Sequence, residues 1–356
     1  MTREKLLPGE AVTSVFAFPK GYLNRPGPLK KLGWFLKDNI LTIMFILLPF
    51  LIFGFYLWTY FRKGRDPEAG HPVMVEYYAP DDILPAEAGT LLDEVAHNSD
   101  IVASVVTLAT KGFLKIKVIE SNSFLFFSSK DYKFTKTGKN WDHLSSYERS
   151  LMKDIFGSKS SVNLSDLKEK FYKNVPGLKN LVYHSLVDKG YFKESPDTVR
   201  SRYIFIGLGI IVAYLGGLAF LSTFSVQDYN VAYAIFSGMI SFGIVMICHR
   251  WIPRKTLKGS RALKNLQDLK EFIERVEQDK IKRLHDEDPT VFGKILPFAM
   301  VMGCADHWAD KFDGLMTQPP DWYDSPYFHS RSMRFHSRDF VHEIGEGLHT
   351  MEKTFV

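Results

Sequence analysis

Apolar residues along this chain fall into three long uninterrupted runs and several short periodic ones. The long runs are 39–60, 203–224 and 231–248, none of which contains Asp, Glu, Lys, Arg or His. Crossing ~30 Å of hydrocarbon takes roughly 20 such residues. A helix on a soluble surface needs only one apolar face. The pattern predicts three transmembrane helices, one alone and two as a tight hairpin. The competing reading is a set of core helices in a large soluble protein.

Shorter patterns surround the runs. Residues 11–18 are β-branched and aromatic and read as one strand, and a single strand is not stable alone. A second strand is expected at 72–78. Asp81 and Asp82 precede Pro85 and Glu87 at the start of a helix. Asp100 is placed as the N-cap of a helix over 101–110. Strands at 113–120 and 124–128, with Ser121, Asn122 and Ser123 as the turn, complete the order of a winged helix. A weak repeat follows: 108–115 reads LATKGFLK and 186–193 reads LVDKGYFK. In each, a helix ends, a glycine supplies the left-handed residue, and an aromatic opens an extended segment. Ser145 and Glu148 have capping-box spacing, so a second unit has helices at 147–156, 164–171 and 175–189. Its wing is small or missing, because about ten residues, 194–202 and their neighbours, join it to the next apolar run. Beyond Arg261, Leu263, Leu266, Leu269, Ile273, Val276 and Ile281 recur at helical spacing. A further helix is expected over 290–315. Its apolar stretch, 295–302, is too short to span, and either packs on the preceding helix or lies on the membrane surface.

Charge orients the spans. The loop at 222–230 contains no Lys or Arg, whereas Lys193, Arg200 and Arg202 precede the second run and Arg250, Arg254, Lys255, Lys258 and Arg261 follow the third. Basic loops stay cytoplasmic, so the hairpin loop is placed outside. Residues 62–202 and the C-terminus are then cytoplasmic and 1–38 lie outside. The net charge of +5 is too mild to imply nucleic acid, and two cysteines, Cys248 and Cys304, exclude a disulfide framework. Residues 1–38 contain no apolar stretch of signal-peptide type.

Candidate chemistry is sparse. Cys304, Asp306, His307, Asp310 and Asp313 are the densest polar cluster, yet no His-Glu-x-x-His or comparable metal spacing is present. A solvated helix face explains them more simply. His329, His336, His342 and His349 read as tail composition, with weak metal binding as the minor alternative. No phosphate-binding glycine loop or nucleophile elbow occurs. Asp81 and Asp82 point apart on a helix and cannot act as a pair. No charge interrupts a span, so no proton relay or ion site is visible. Pro49 interrupts the first run as a mild kink, and Gly207, Gly209, Gly216, Gly217, Gly238 and Gly243 suit close packing of the hairpin. No catalytic, cofactor-binding or metal-binding residue is assigned, no cofactor is implied, and no small-molecule substrate is evident.

Several stretches together carry a family resemblance. They are Leu7-Pro8-Gly9-Glu10, Phe18-Pro19-Lys20-Gly21, Tyr78-Ala79-Pro80 with Pro85-Ala86-Glu87-Ala88-Gly89, and Asp288-Pro289, Leu296-Pro297-Phe298-Ala299, Gly303, Trp308 and Phe312. In this order they resemble the YciQ-like family of bacterial predicted membrane proteins of unknown function. The resemblance implies a signal peptide and an extracellular β-rich domain upstream of residue 1. Of these, only the strand at 11–18 would be represented here. It supplies no catalytic residues.

The expected fold is therefore an α-helical multi-pass membrane protein with a cytosolic α+β, tandem winged-helix-like domain. The expected division is an extracellular tail at 1–38, a transmembrane helix at 39–61 and a winged-helix-like domain at 62–202. The hairpin at 203–248, cytosolic amphipathic helices at 249–316 and a polar, disordered tail at 317–356 complete it. The expected function is non-enzymatic: an anchor or scaffold linking an extracellular region to a cytosolic protein-interaction module. Its partners would be the lipid bilayer and an unidentified protein, without nucleic acid. The first alternative is a membrane-tethered winged-helix DNA-binding regulator. A transporter or membrane enzyme is the weaker one. The helix at 101–110 carries no Arg, Lys, Asn or Gln to reach base edges, and Lys/Arg and Asp/Glu nearly balance over 62–202, which argues against the regulator.

Overall fold

The computed structural model describes residues 13, 15–17, 26–70, 79–80, 83–122, 128–168, 170–223, 231–329 and 335–354. The expected strand at 72–78 and the pair Asp81 and Asp82 lie outside these residues. So does most of 11–18, of which residues 13 and 15–17 carry no strand.

The chain runs α1 (Pro28–Asp38), α2 (Ile40–Thr59), a π-helical turn at Tyr60–Gly64, α3 (Pro85–Asp93), α4 (Asn98–Thr110), β1 (Leu114–Asn122) and β2 (Ser128–Lys136). Next come α5 (Ser146–Phe156), β3 (Ser161–Asn163), α6 (Leu164–Leu167) and α7 (Val175–Asp188). The long helices α8 (Pro196–Ser222) and α9 (Val231–Cys248) lead to α10 (Leu257–Arg275), α11 (Gln278–Glu287), α12 (Val291–Val301), α13 (Ala305–Lys311), β4 (Tyr323–Asp324) and α14 (Ser337–Thr354). Among the described residues three helices, Ile40–Gly64, Pro196–Ser222 and Val231–Trp251, are long and apolar enough to cross a membrane. Within the expected tail, residues 28–38 are helical, started by Pro28 at the first turn. Within the expected join to the second run, residues 196–202 are the first turns of α8.

Two compact units divide the chain: residues 1–52 with 209–244, and residues 53–208 with 245–356. In the first, Leu41, Phe45 and Leu218 form a small buried cluster. Pro49 has no N–H, so the Phe45 carbonyl one turn earlier lacks its helical donor. The Ser237 hydroxyl of α9 donates to that carbonyl, and Tyr214 of α8 donates to the neighbouring Met44 carbonyl at 2.8 Å. Hydrocarbon offers no water to replace such donors. The kink expected at Pro49 is thus a packing site. Of the hairpin glycines in this unit, Gly238 approaches Leu215, while Gly209, Gly216, Gly217 and Gly243 have nothing near the position of an added side chain.

The second unit is built on one core. Buried residues from α3, α4, the sheet, α5, α7 and α10 to α14 belong to a single cluster. The separation of 62–202 from 249–316 and 317–356 is therefore corrected, since the three stretches bury one another's apolar faces. The sheet has strand order β3-β2-β1-β4. β1 and β2 are antiparallel with Ile116 opposite Phe134, β2 and β3 are antiparallel with Phe134 opposite Val162, and β1 and β4 are parallel. Leu114, Ile116 and Val118 face the core, alternating with exposed Lys115 and Lys117. The hairpin differs from expectation. Ser121 and Asn122 extend β1, and its partner is Ser128–Lys136; of the strand expected at 124–128, residues 124–127 lie outside the described residues. The inward pair Tyr132 and Phe134 sets that register.

The repeat at 108–115 and 186–193 has matching backbone geometry. Gly112 and Gly190 both take positive φ, 75° and 78°. Phe113 N–H donates to the Leu108 carbonyl and Tyr191 N–H to the Leu186 carbonyl, each at 2.9 Å. Their continuations differ: β1 follows the first, and an isolated bridge between Phe192 and Lys255 follows the second. α4 begins at Asn98, so Asp100 is inside the helix rather than its N-cap. From there its carboxylate accepts the His97 N–H at 2.8 Å. The helix expected over 290–315 breaks at Gly303, whose φ of 70° ends α12. Pro297 lies inside α12, and the apolar stretch packs in the core.

The tail is the largest departure. Residues 317–356, expected to be disordered, contain β4 and α14. Phe340 is fully buried, with ring centroids 5.1 Å from Tyr323 and 5.7 Å from Trp322. Val341, Ile344 and Met351 share its buried face. Four histidines and many charges dilute that stripe in the composition, but its spacing is helical.

Candidate functional site

In the second unit, four charged residues from distant parts of the chain meet at one point. Asp66 follows the π-helical turn after α2, Glu94 follows α3, Arg200 lies in α8, and Lys255 precedes α10. Each is placed by a local constraint. Gly64 lets the backbone after α2 pass Trp251. A side chain there would start 2.4 Å from the Trp251 carbonyl oxygen. Glu94 has φ 67° and is the one non-glycine residue with positive φ among the described residues. This left-handed position after a helix usually carries glycine, and costs a side-chain residue about 1–2 kcal/mol. Thr256 caps α10 through the Gly259 N–H, and its hydroxyl also donates to the Gly190 carbonyl at 2.6 Å. Gly259 leaves room for the Tyr191 carbonyl oxygen, 2.2 Å from where a Cβ would stand.

The contacts hold the strained residue in place. Arg200 donates from Nη1 to the Glu94 carbonyl at 2.8 Å, and its Nη2 pairs with Glu94 Oε2 at 3.3 Å. Lys255 Nζ lies 2.5 Å from Glu94 Oε1 and 3.4 Å from Asp66 Oδ2. The Lys255 backbone N–H donates to Asp66 Oδ1 at 2.7 Å. The Lys255 side chain is 5% exposed and lies over the Phe192 ring. Arg200 Nε is buried without a hydrogen-bond partner. Two acids and two bases balance, and they fix the positions of three chain segments against α3. Both carboxylates and the Lys255 ammonium are engaged in ion pairs within the cluster.

A second buried ion pair supports α3 at its other end. Glu87 caps the helix by accepting the Leu84 N–H at 2.7 Å, and Lys189 and Ser185 of the α7 region also bond its carboxylate. Nearby, burial pushes the Asp100 carboxyl up to about 7, against the opposing influence of the His97 N–H. A Cβ on Gly89 would start 2.3 Å from Asp100 Oδ1, so α3 and α4 touch at that carboxyl.

The residues singled out from the sequence do not gather. Cys304 is buried before α13, and burial pushes its thiol up to about 11, far from a reactive thiolate. Asp310 pairs with Arg338 at 2.5 Å, which holds its carboxyl below the usual range. Asp313 pairs with His336 at 2.9 Å. Asp306 and His307 are exposed. Among the described residues no three His, Cys, Asp or Glu side chains are grouped to hold a metal ion. These carboxylates instead dock α14 onto α13. A groove of 520 Å³ between α4, α12 and α14 is lined by Val102, Leu296, Met300 and Val341, with Glu346 and Glu352 at its rim. A larger cleft of 1140 Å³ includes Lys111 and Lys294, already paired to Glu148 and Asp288 at 2.7 Å.

Sequence reasoning missed the four-residue cluster. Arg200 and Lys255 registered only as flanking charges that orient the spans. Their pairing with Glu94 bridges more than 100 residues, and no local spacing reports it.

A family model described as the C-terminal domain of predicted membrane protein DUF2207 matches residues 74–312. The chain belongs to this family. The matched region of the DUF2207 chain contains Glu94, Arg200 and Lys255, and the helices α3 to α13. No curated protein and no solved structure matches the chain.

Proposed function

We propose that this DUF2207 chain is a non-enzymatic anchor or scaffold in the cell membrane, tying a region outside to a cytosolic protein-interaction module. In this reading all three apolar helices span the bilayer. Residues 1–38 and the hairpin loop are outside, and residues 62–202 and the C-terminus are cytoplasmic. The basic residues around 193–202 and 250–261 and their absence from 222–230 support that orientation. We also keep the narrower placement among YciQ-like bacterial proteins. The element order α3-α4-β1-β2 and α5-β3-α6-α7 supports a description as two winged-helix-like units.

The observation that carries the scaffold reading is the ion cluster. Asp66, Arg200 and Lys255 each lie close to the end of one apolar helix, and all three engage the body at or through Glu94. A buried joint of this kind favours a body tied to the three helix ends that enter it. A protein partner fits better than DNA. The helix that would enter the major groove in the first unit is α4, and every residue from Asp100 to Ala109 is buried. A recognition helix must present side chains to base edges.

The test is photocrosslinking in the native host from Asn180 and His184, two exposed positions of α7. The reading predicts a discrete, nuclease-resistant protein adduct. Nuclease-sensitive adducts would instead support the membrane-tethered DNA-binding regulator, and no adduct from either position would count against both.

A further inference from the structure

We propose that α1 lies in the membrane interface, with its apolar face in the headgroup–acyl boundary and its lysines on the phosphates of anionic lipids. This rests on reading α2 as a membrane span. α1 reads PLKKLGWFLKD and contains no buried residue. Leu29, Leu32 and Leu36 fall on one side at spacings of three, four and seven, with Phe35 beside them. All four are exposed, Leu29 at 85% and Leu36 at 44%. Lys30 and Lys37 lie together on the other side, and Lys31 borders the apolar face beside Phe35, with Trp34 and Asp38 between it and the other two lysines. The one acid of the helix is Asp38.

Position decides what covers the apolar face. Asn39 alone separates α1 from α2. The 20 residues of α2 reach about 30 Å at 1.5 Å per residue, which is the hydrocarbon thickness. α1 therefore starts at headgroup depth. Asn39 leaves helical geometry, with φ −121°, while its side chain and its N–H both donate to the Phe35 carbonyl, at 2.9 and 3.1 Å. The chain can thus change direction there without exposing that carbonyl to lipid. The Lys30 ammonium lies 5.6 Å from the centre of the Trp34 ring, a pairing of cation and aromatic suited to the bilayer interface. Apolar residues on one face and lysines on the other match a helix lying in the interface plane, and attraction to anionic lipid adds to the apolar burial.

The test uses the full chain in nanodiscs, with a nitroxide placed by a bioorthogonal amino acid so that Cys248 and Cys304 stay intact. Labels go singly at 29 to 37 and, as controls, at Ile46 and Leu47 of α2. Collisions with oxygen and with a water-soluble nickel chelate are measured in phosphatidylglycerol and in phosphatidylcholine. The expected result is an oscillating oxygen-to-nickel ratio along α1, highest at 29, 32 and 36 and at least threefold lower at 30 and 37. In phosphatidylcholine, or in the Lys30→Gln, Lys31→Gln, Lys37→Gln variant, the oscillation shrinks at least twofold. A uniformly nickel-accessible α1 beside oxygen-accessible α2 controls would overturn the proposal, as would protection of the apolar face from both reagents, the signature of a protein partner or a second copy. An oscillation indifferent to lipid charge would overturn the headgroup contact. Nickel-accessible labels at 46 and 47 would overturn the membrane reading of α2 itself.

Discussion

The Ser237 hydroxyl donates to the Phe45 carbonyl, the group that Pro49 leaves without its helical donor. One imperfection in α2 is thereby answered by one side chain of α9. Replacing Ser237 by Ala should cost about 1 kcal/mol, typical of hydrogen bonds between membrane helices. Pro49→Ala restores an N–H for the same carbonyl. In that background Ser237→Ala should cost almost nothing. Reversible unfolding of the four chains in a double-mutant cycle checks this. Equal costs in both backgrounds would show that the hydroxyl and the proline act independently.

Glu94 carries two separable burdens, a left-handed backbone and two ion pairs. Glu94→Ala keeps the strain and loses the pairs, whereas Glu94→Gly loses both. The glycine variant should therefore be the more stable by about 1 kcal/mol. Lys255→Met should destabilise by about 3 kcal/mol, because it leaves two carboxylates without their shared cation. Thermal unfolding in detergent ranks the three. An alanine variant as stable as the glycine variant would remove the strain argument.

The Asp100 carboxyl is raised by burial to about 7. Its folded pKa lies above the unfolded value near 4, so the folded state binds the proton more tightly. That stabilisation is fully present below pH 4 and is lost as pH rises towards 7. Asp100→Asn keeps an acceptor for the His97 N–H without the charge. It should be more stable than the parent at pH 8 by on the order of a few kcal/mol, with the difference vanishing at pH 4. Melting temperatures of both chains between pH 4 and pH 8 give the comparison. A gap that does not narrow with falling pH would contradict the assignment.

The three apolar helices, the capping pair Ser145 and Glu148, and the paired glycines at 112 and 190 were legible in the sequence because each signal is local. Run length, an acid three residues after a cap, and a glycine after a helix all lie within one stretch. Residues 129–136 of β2 were not read as a strand because the inward residues, Tyr132 and Phe134, alternate with Asp131, Lys133 and Thr135 in a polar-looking segment. The order in α14 was missed for a related reason: Phe340, Val341, Ile344 and Met351 gain their meaning only from the aromatic surface that receives them. The Glu94 cluster had no sequence signal, since its partners lie in separate loops and helix ends.

Phe340 tests that receiving surface. It is fully buried among Tyr323, Trp322, Phe328 and Phe335. Phe340→Ala should destabilise the second unit by about 3–5 kcal/mol, and hydrogen exchange should rise in α14 and in the β1–β4 pairing together. Faster exchange confined to α14 would mean that the tail is not part of the common core.

The membrane arrangement is the claim on which the rest depends. Paired reporters, one active only in the cytosol and one only outside it, are fused at Asp228, Lys159 and Glu274 of the full chain. The account predicts an outside signal at Asp228 and cytosolic signals at Lys159 and Glu274. A cytosolic signal at Asp228, or an outside signal at either of the other two, would contradict it.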